Sequence, residues 1–424
     1  MSDTQISVGK GTERRLPEML DHLLEAAMQQ GATDLHIDPV EREFLVRFRI
    51  DGVVHENQRL SVAEGHRLIN QIKVAAEMEI ERVQAPLEGQ FHWHEDGHVR
   101  DVRVTVIPTF HTEAAHLRLL RMPEQWHDIV RLGFSESARE QVQHALSQPG
   151  GLVLVAGLAG AGKTTTLYAL ASQHDLGDRI AASIEDPIEF NLPFVRQLRV
   201  DERRGVTMSD ALATMLRMDP DILMVGEVRD RESAVTVAHA ALAGRLVLAT
   251  VHAPDAATAI EAMHYQSVPY YILGSTLRLV IAQSLVRRVC PECAERRPLR
   301  ADETTLFEAV GVRPPEQVCE PRGCELCHGY GYRGRVGVYQ VVVVDRAMSD
   351  WLTQGKHAQD IRHYLAEHGV RSLVAEALQK AADGITSMPE VFRLRDGHGA
   401  TVAVPGAAAD TWRSRNGPEV GSIE

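Results

Sequence analysis

Several features are scarce in these 424 residues. No apolar run reaches the roughly 18 residues that a membrane-spanning helix needs. The opening stretch MSDTQISVGKGTERR has no apolar h-region, so no secretory signal is expected. Aromatic residues are only 5% of the chain, too few for base stacking on single-stranded nucleic acid to be its main business. Positive charge is in deficit. Lys+Arg number 45 against 58 Asp+Glu, a formal charge of −13, which excludes a chain-wide basic footprint for nucleic acid or anionic lipid. Cysteine is limited to five residues. Four of them form two C-x-x-C pairs, which suggests metal or redox chemistry in a reducing compartment rather than a disulfide framework. What remains, 44% hydrophobic and 24% charged, is the balance of a globular protein of two to four domains.

The hydrophobic rhythm changes along the chain. After a frayed segment 1–14, residues 15–125 read as an α+β domain. A helix with apolar residues at i, i+3, i+4 spacing (Leu16, Met19, Leu20, Leu23, Leu24) leads into alternating strands. Asp51-Gly52 and Asp96-Gly97 mark hairpin turns, and Ser61-Val-Ala-Glu64 is a capping box opening a helix to about Ile80. From 126 to 289, helical stretches alternate with short runs lacking polar alternation: Leu152–Ala156, Ile180–Ile184, Ile222–Val225 and Leu246–Thr250. Strands buried on both faces read this way, so an α/β domain around a mostly parallel sheet is expected. Residues 290–339 read as a loop-rich insertion, 340–395 as helical, and the tail 396–424 as disordered.

The segment Gly157, Leu158, Ala159, Gly160, Ala161, Gly162, Lys163, Thr164 matches G-x-x-x-x-G-K-[ST] and follows a strand directly. Its glycines let several backbone N–H groups point at one anion, and the helix N-terminus adds partial positive charge. Lys163 is expected at the β/γ-phosphates of ATP, the Thr164 hydroxyl on Mg²⁺, and Thr165 beside them. Ligands bind beyond the carboxyl ends of strands in open α/β sheets. Glu185, Glu227 and His252, each at such an end, are therefore expected to face the γ-phosphate region. Glu227 is the candidate to polarise the attacking water. Gly226 stands where a Mg²⁺-binding Asp is usual, so the ion would depend on Thr164, phosphates, water and Glu185 or Asp186.

Cys290-Pro-Glu-Cys293 and Cys324-Glu-Leu-Cys327 have zinc-knuckle spacing, and two such pairs can close a structural tetrahedral Zn²⁺ site. Cys319 and His328 are spare donors by position.

Taken together, Gly157–Thr165, Ser183–Glu189, Leu216–Asp230 and Gly244–His252 resemble the Walker A, Asp box, Walker B and His box of the secretion ATPases of type II secretion and type IV pilus assembly. Thr33–Pro39 with Val46–Gly52 is similar to that family's N-terminal, PAS-like domain. The resemblance implies a RecA-like P-loop core and a homohexameric ring. It also implies a cytoplasmic location, peripheral at the inner membrane and attached through a platform protein. ATP hydrolysis there drives assembly of a pseudopilus or pilus. Arg103 and Arg118 match the family's γ-phosphate-sensing arginines, and the tetracysteine arrangement is that of its assembly-type members. The chain starts almost at the PAS-like domain, so the extra docking domain of many members is expected to be missing. Two other readings compete: a RecA-like nucleic-acid motor, disfavoured by the charge of −13, and a nucleotide-gated scaffold with negligible turnover.

Overall fold

The computed structural model describes residues 16–81, 85–95, 98–119 and 126–397. The segment 1–14, the turn expected at Asp96-Gly97 and the tail beyond 397 lie outside them. The chain divides into two compact units, Met1–Met122 and Pro123–Glu424.

The first unit is a six-stranded antiparallel sheet. Its strands are β1 (Ala32–Val40), β2 (Glu43–Ile50), β3 (Val53–Ser61), β4 (Leu87–Glu95), β5 (His98–Pro108) and β6 (Glu113–Leu119), in the order β3-β2-β1-β6-β5-β4. Period-two alternation puts Leu35, Ile37, Phe44, Val46, Phe48, Val102, Val104, Val106 and Leu117 in the core. The helices Glu18–Gln29 and Val62–Ala75 pack on β1 and β2. Asp51 and Gly52 both take positive φ, the geometry a two-residue hairpin needs. Ser61 and Glu64 form the reciprocal capping box, and that helix ends at Ala75, short of Ile80.

The second unit carries a seven-stranded sheet. Its strands are β7 (Gly151–Ala156), β8 (Ala181–Glu185), β9 (Val195–Arg199), β10 (Ile222–Val225), β11 (Leu246–Val251), β12 (Leu277–Val289) and, after the small hairpin β13 (Glu295–Pro298) and β14 (Gln317–Glu320), β15 (Tyr332–Val343). The order is β15-β12-β7-β11-β10-β8-β9, parallel except for β15, which runs antiparallel to β12. Every residue of β7, β8, β10 and β11 is buried, which explains their unbroken apolar character. The segment 290–339 is less loop-like than its composition suggests. It holds a helix, Ala301–Ala309, and β15 enters the main sheet at Tyr332 because Val336 and Val338 bury against β12. Among the described residues no helix is long and apolar enough to cross a membrane.

Candidate nucleotide site and cysteine cluster

β7 stops at Ala156, and Gly157–Gly162 turns into the helix Lys163–Ala171. Gly162, the residue before that helix, sits at φ 84°, a left-handed conformation that glycine takes at low cost. At Gly157 the reason for glycine is space: a Cβ would lie 2.8 Å from both the Ala161 Cβ and the Gln283 carbonyl oxygen. Gln283, buried on β12, also donates its side-chain amide to the Ala161 carbonyl at 2.6 Å, so a neighbouring strand braces the loop. Ala159 and Gly160 are exposed at its mouth, while Leu158, Thr164 and Thr165 are half-buried. The Lys163 ammonium donates to the carbonyls of Gly157 (2.8 Å) and Leu158 (3.4 Å). Burial lowers the Lys163 pKa, opposed by the Glu227 carboxylate and reinforced by Arg229. An anionic ligand would relieve that unfavourable burial.

Glu227 follows β10, with Oε1 4.0 Å from Lys163 Nζ. Its Oε2 accepts from Arg229 Nε, and Arg229 Nη1 donates to Asp186 Oδ2 at 3.2 Å. Lys163, Glu227, Arg229 and Asp186 thus form a row of alternating charge along the carboxyl edge of the sheet. Gly226 has a packing reason: its N–H donates to the Ile184 carbonyl at 2.8 Å, and a Cβ would lie 3.2 Å from that same oxygen. His252 is exposed and lines an open cleft of about 330 Å³ together with Glu227, Arg229 and Gln266.

Glu185 does not join this group. Expected at the phosphate edge, it is 2% exposed. Its carboxylate accepts from the Tyr168 hydroxyl, Ser183 Oγ (2.5 Å) and Gln197 Nε2 (3.0 Å). The last residue of a buried strand can turn inward when donors wait there, and its position at a strand end does not reveal them. Arg229 and Gln283 escaped the reading of the sequence. Arg229 could have been found, since i and i+2 in an extended segment share a side. Gln283 could not, because Leu277–Val289 lacks the period-two alternation that marks a strand in sequence.

In the first unit, Arg103 on β5 and Arg118 on β6 face each other in register. Arg118 Nε and His116 Nε2 each lie 3.0 Å from Asp34 Oδ1, and Thr33 donates to Oδ2 at 2.8 Å. Burial works against the Asp34 charge, but these hydrogen bonds win and hold its pKa far below the ordinary carboxylate range.

The two C-x-x-C pairs, distant in sequence, converge. The sulfurs of Cys290, Cys293, Cys324 and Cys327 all lie within 4.8 Å of one another. The Cys290–Cys324, Cys293–Cys327 and Cys324–Cys327 separations are each 3.8 Å. Tetrahedral zinc with Zn–S near 2.3 Å requires S···S of about 3.8 Å, whereas a disulfide would need about 2 Å. Backbone N–H groups of Gly323, Cys324 and Gly331 point at the sulfurs of Cys293 and Cys327, as thiolates require. Burial pushes the Cys290 thiol up to about 11. It also works against Cys327, but the N–H groups of Cys324 and Gly331 bring that thiol to about 7. The donor set fits a structural zinc ion. Cys319 and His328 are not in the cluster.

The profile of the family described as Type II/IV secretion system protein matches residues 11–393. The chain is 36% identical over 376 residues to the type II secretion system protein E of Aeromonas hydrophila, covering 89% of this chain and 75% of that one. It is 35% identical over 382 residues to the type IV pilus assembly ATPase PilB of Myxococcus xanthus, covering 88% and 67%. Among solved structures it is similar to the Legionella pneumophila ATPase DotB (TM-score 0.67, 20% identity, 91% of this chain and 98% of that one). It is also similar to the pilus retraction motor PilT with bound ADP (TM-score 0.58, 21% identity, 88% and 96%). At these identities the solved structures establish the fold, a P-loop ATPase core.

Proposed function

Because the chain belongs to the type II/IV secretion system protein family, we propose that it is a motor for assembly of a type II secretion pseudopilus or a type IV pilus. It is an ATP hydrolase. In the proposed working form it is a cytoplasmic homohexamer, peripheral at the inner membrane through a platform protein, with zinc on the four cysteines. The first unit serves as the PAS-like domain that delivers Arg103 and Arg118.

The observation that carries the reading is the meeting of Lys163 and Glu227 at the carboxyl edge of one parallel sheet, 4.0 Å apart. ATP entering the loop replaces the Gly157 and Leu158 carbonyls as partners of Lys163, which then binds the β/γ-phosphates. Backbone N–H groups of Gly157–Thr165 and the helix dipole hold the phosphate oxygens. The Thr164 hydroxyl and the exposed Asp186 carboxylate are hard oxygen donors suited to magnesium. Magnesium, when bound, neutralises charge on the β- and γ-phosphates. Glu227 orients and deprotonates the attacking water, and exposed His252 lines the same cleft, where it can meet the γ-phosphate.

The test is Glu227→Gln, which keeps size and hydrogen bonding but loses the base. ATP still binds and hydrolysis falls about 10²–10⁴-fold. Full activity, or loss of binding, removes Glu227 from this role.

A further inference from the structure

We propose that Glu185 is a positioning residue. In this assignment it anchors the phosphate-loop helix to the segment that carries Asp186, and it neither ligates magnesium nor activates water. The inference rests on the hydrolase reading above and concerns how that site is held together.

Glu185 is buried, and both carboxylate oxygens are already spoken for. Oε2 takes the hydroxyl of Tyr168, which lies on the helix Lys163–Ala171, five residues after Lys163. Oε1 takes Ser183 Oγ at 2.5 Å and Gln197 Nε2 at 3.0 Å. Gln197 on β9 is saturated in turn: Nε2 also donates to the Phe190 carbonyl at 2.9 Å, and Oε1 accepts from the Leu192 N–H at 2.8 Å. The Glu185 carbonyl accepts from the Val200 N–H at 2.9 Å. A continuous chain therefore runs from the phosphate-loop helix through Tyr168, Glu185 and Gln197 to the loop 190–192.

The segment closed by that chain begins with Asp186, the next residue after Glu185. Asp186 holds Arg229, and Arg229 holds Glu227. Moving Glu185 out to the phosphate edge would strip the buried Tyr168 and Ser183 hydroxyls of this acceptor and leave Gln197 Nε2 with the Phe190 carbonyl alone, which is the costly direction for a hydrogen-bond network. Keeping it inside fixes the distance between the loop that grips the phosphates and the carboxylates that face them. The Tyr168 phenol supports this. Burial, and after it the Glu185 carboxylate, raise its pKa far above the ordinary value, so it remains a donor throughout the working pH range. Small displacements of catalytic groups are expensive in rate; about 1 Å can cost 10²-fold.

The experiment compares the full chain with Tyr168→Phe, Glu185→Gln and the double variant. It measures kcat, KM for ATP and the Mg²⁺ concentration for half-maximal turnover, with thermal melts to verify folding. Tyr168→Phe removes one hydroxyl and keeps the ring. Each single variant is expected to lower kcat about tenfold, with KM and the Mg²⁺ midpoint within about twofold. The double variant is expected to be no worse than the stronger single, because the two residues share one interaction. A loss of about 10²–10⁴ in Glu185→Gln with Tyr168→Phe unaffected would make Glu185 a base, and a raised Mg²⁺ midpoint would make it a ligand. Either overturns the proposal. If Glu185→Gln does not fold, Tyr168→Phe and Gln197→Met decide it: both must lower kcat at an unchanged Mg²⁺ midpoint. Lys163→Ala serves as the separate control, since retained turnover there would undo the nucleotide site itself rather than this inference.

Discussion

Arg118 Nε lies 3.0 Å from Asp34 Oδ1, so the arginine is held across the β6–β1 pair with Arg103 opposite it in register on β5. If these arginines meet the γ-phosphate in the closed state, the hydrolysis rate reports domain closure. Supplied arginine fingers contribute about 10³–10⁵ in rate. With the work shared between two residues, Arg118→Ala or Arg103→Ala is expected to lower turnover at least tenfold, with ATP affinity changed far less. The check is turnover and nucleotide affinity measured side by side. A fragment starting near residue 126 that matches the full chain at equal ring assembly would end the idea.

The same cluster predicts a pH dependence. His36 stacks on His116 with ring centroids 4.7 Å apart, near Asp34, Asp38 and Arg49. Burial first, and then His116, lower its pKa, against the pull of the two aspartates. The unfolded chain, with histidine near 6.5, then takes up its proton first as pH falls. Stability rises with pH through this window and is lost from about pH 7 downward. The Asp34 contribution has the same sign at lower pH: present above about 3.9 and lost below. Thermal melts of wild type and His36→Asn between pH 5 and 8 test this. The wild type should lose more on acidification, and an equal slope in both would assign the effect elsewhere.

Lys163→Ala is expected to abolish most ATP binding while leaving the melting temperature nearly unchanged, because within the chain the ammonium gives up two bonds to loop carbonyls and a 4.0 Å approach to Glu227, offset by relief of its unfavourable burial. Titration with a fluorescent nucleotide measures it. Turnover per subunit within twofold of wild type would move the motor site off this loop.

Metal analysis of protein prepared without added zinc should give about one zinc per chain. Cys324→Ser should reduce that occupancy and expose the module to proteolysis, since a closed four-thiolate site contributes folding energy directly. A stoichiometry near zero in wild type rejects the site.

Glu390 ties the C-terminal helix Met388–Gly397 to β12. It is 1% exposed and accepts from the Arg287 N–H (2.9 Å), Arg287 Nε (3.0 Å) and Nη2 (2.8 Å), and Arg393 Nη2 (2.7 Å). Burial opposes its charge, yet the Arg287 bonds lower its pKa. Glu390→Ala leaves Arg287 half-buried without its carboxylate. A loss of about 3–5 kcal/mol is expected, seen in calorimetry as a fall in Tm on the order of 10 °C.

What the sequence determined by itself is what short stretches of backbone determine. The phosphate loop is legible because glycine spacing, a lysine and a following helix are all local. The buried strands Ile222–Val225 and Leu246–Val251 are legible because an unbroken apolar run has few other places to sit. Each C-x-x-C pair is legible for the same reason. Tertiary structure decided everything that depends on a partner far along the chain. β12 reads Leu-Arg-Leu-Val-Ile-Ala-Gln-Ser-Leu, with no clear period of two, and becomes a strand only because β7 and β15 flank it. That placement delivers Gln283 to the phosphate loop from 122 residues away. The two cysteine pairs meet across 34 residues. Glu185 and Glu227 look alike as carboxylates at strand ends, yet one points into the core and the other to the open edge. The difference lies in Tyr168 and Gln197, whose donors are brought to Glu185 by folding, and a buried charge goes where its hydrogen-bond partners are.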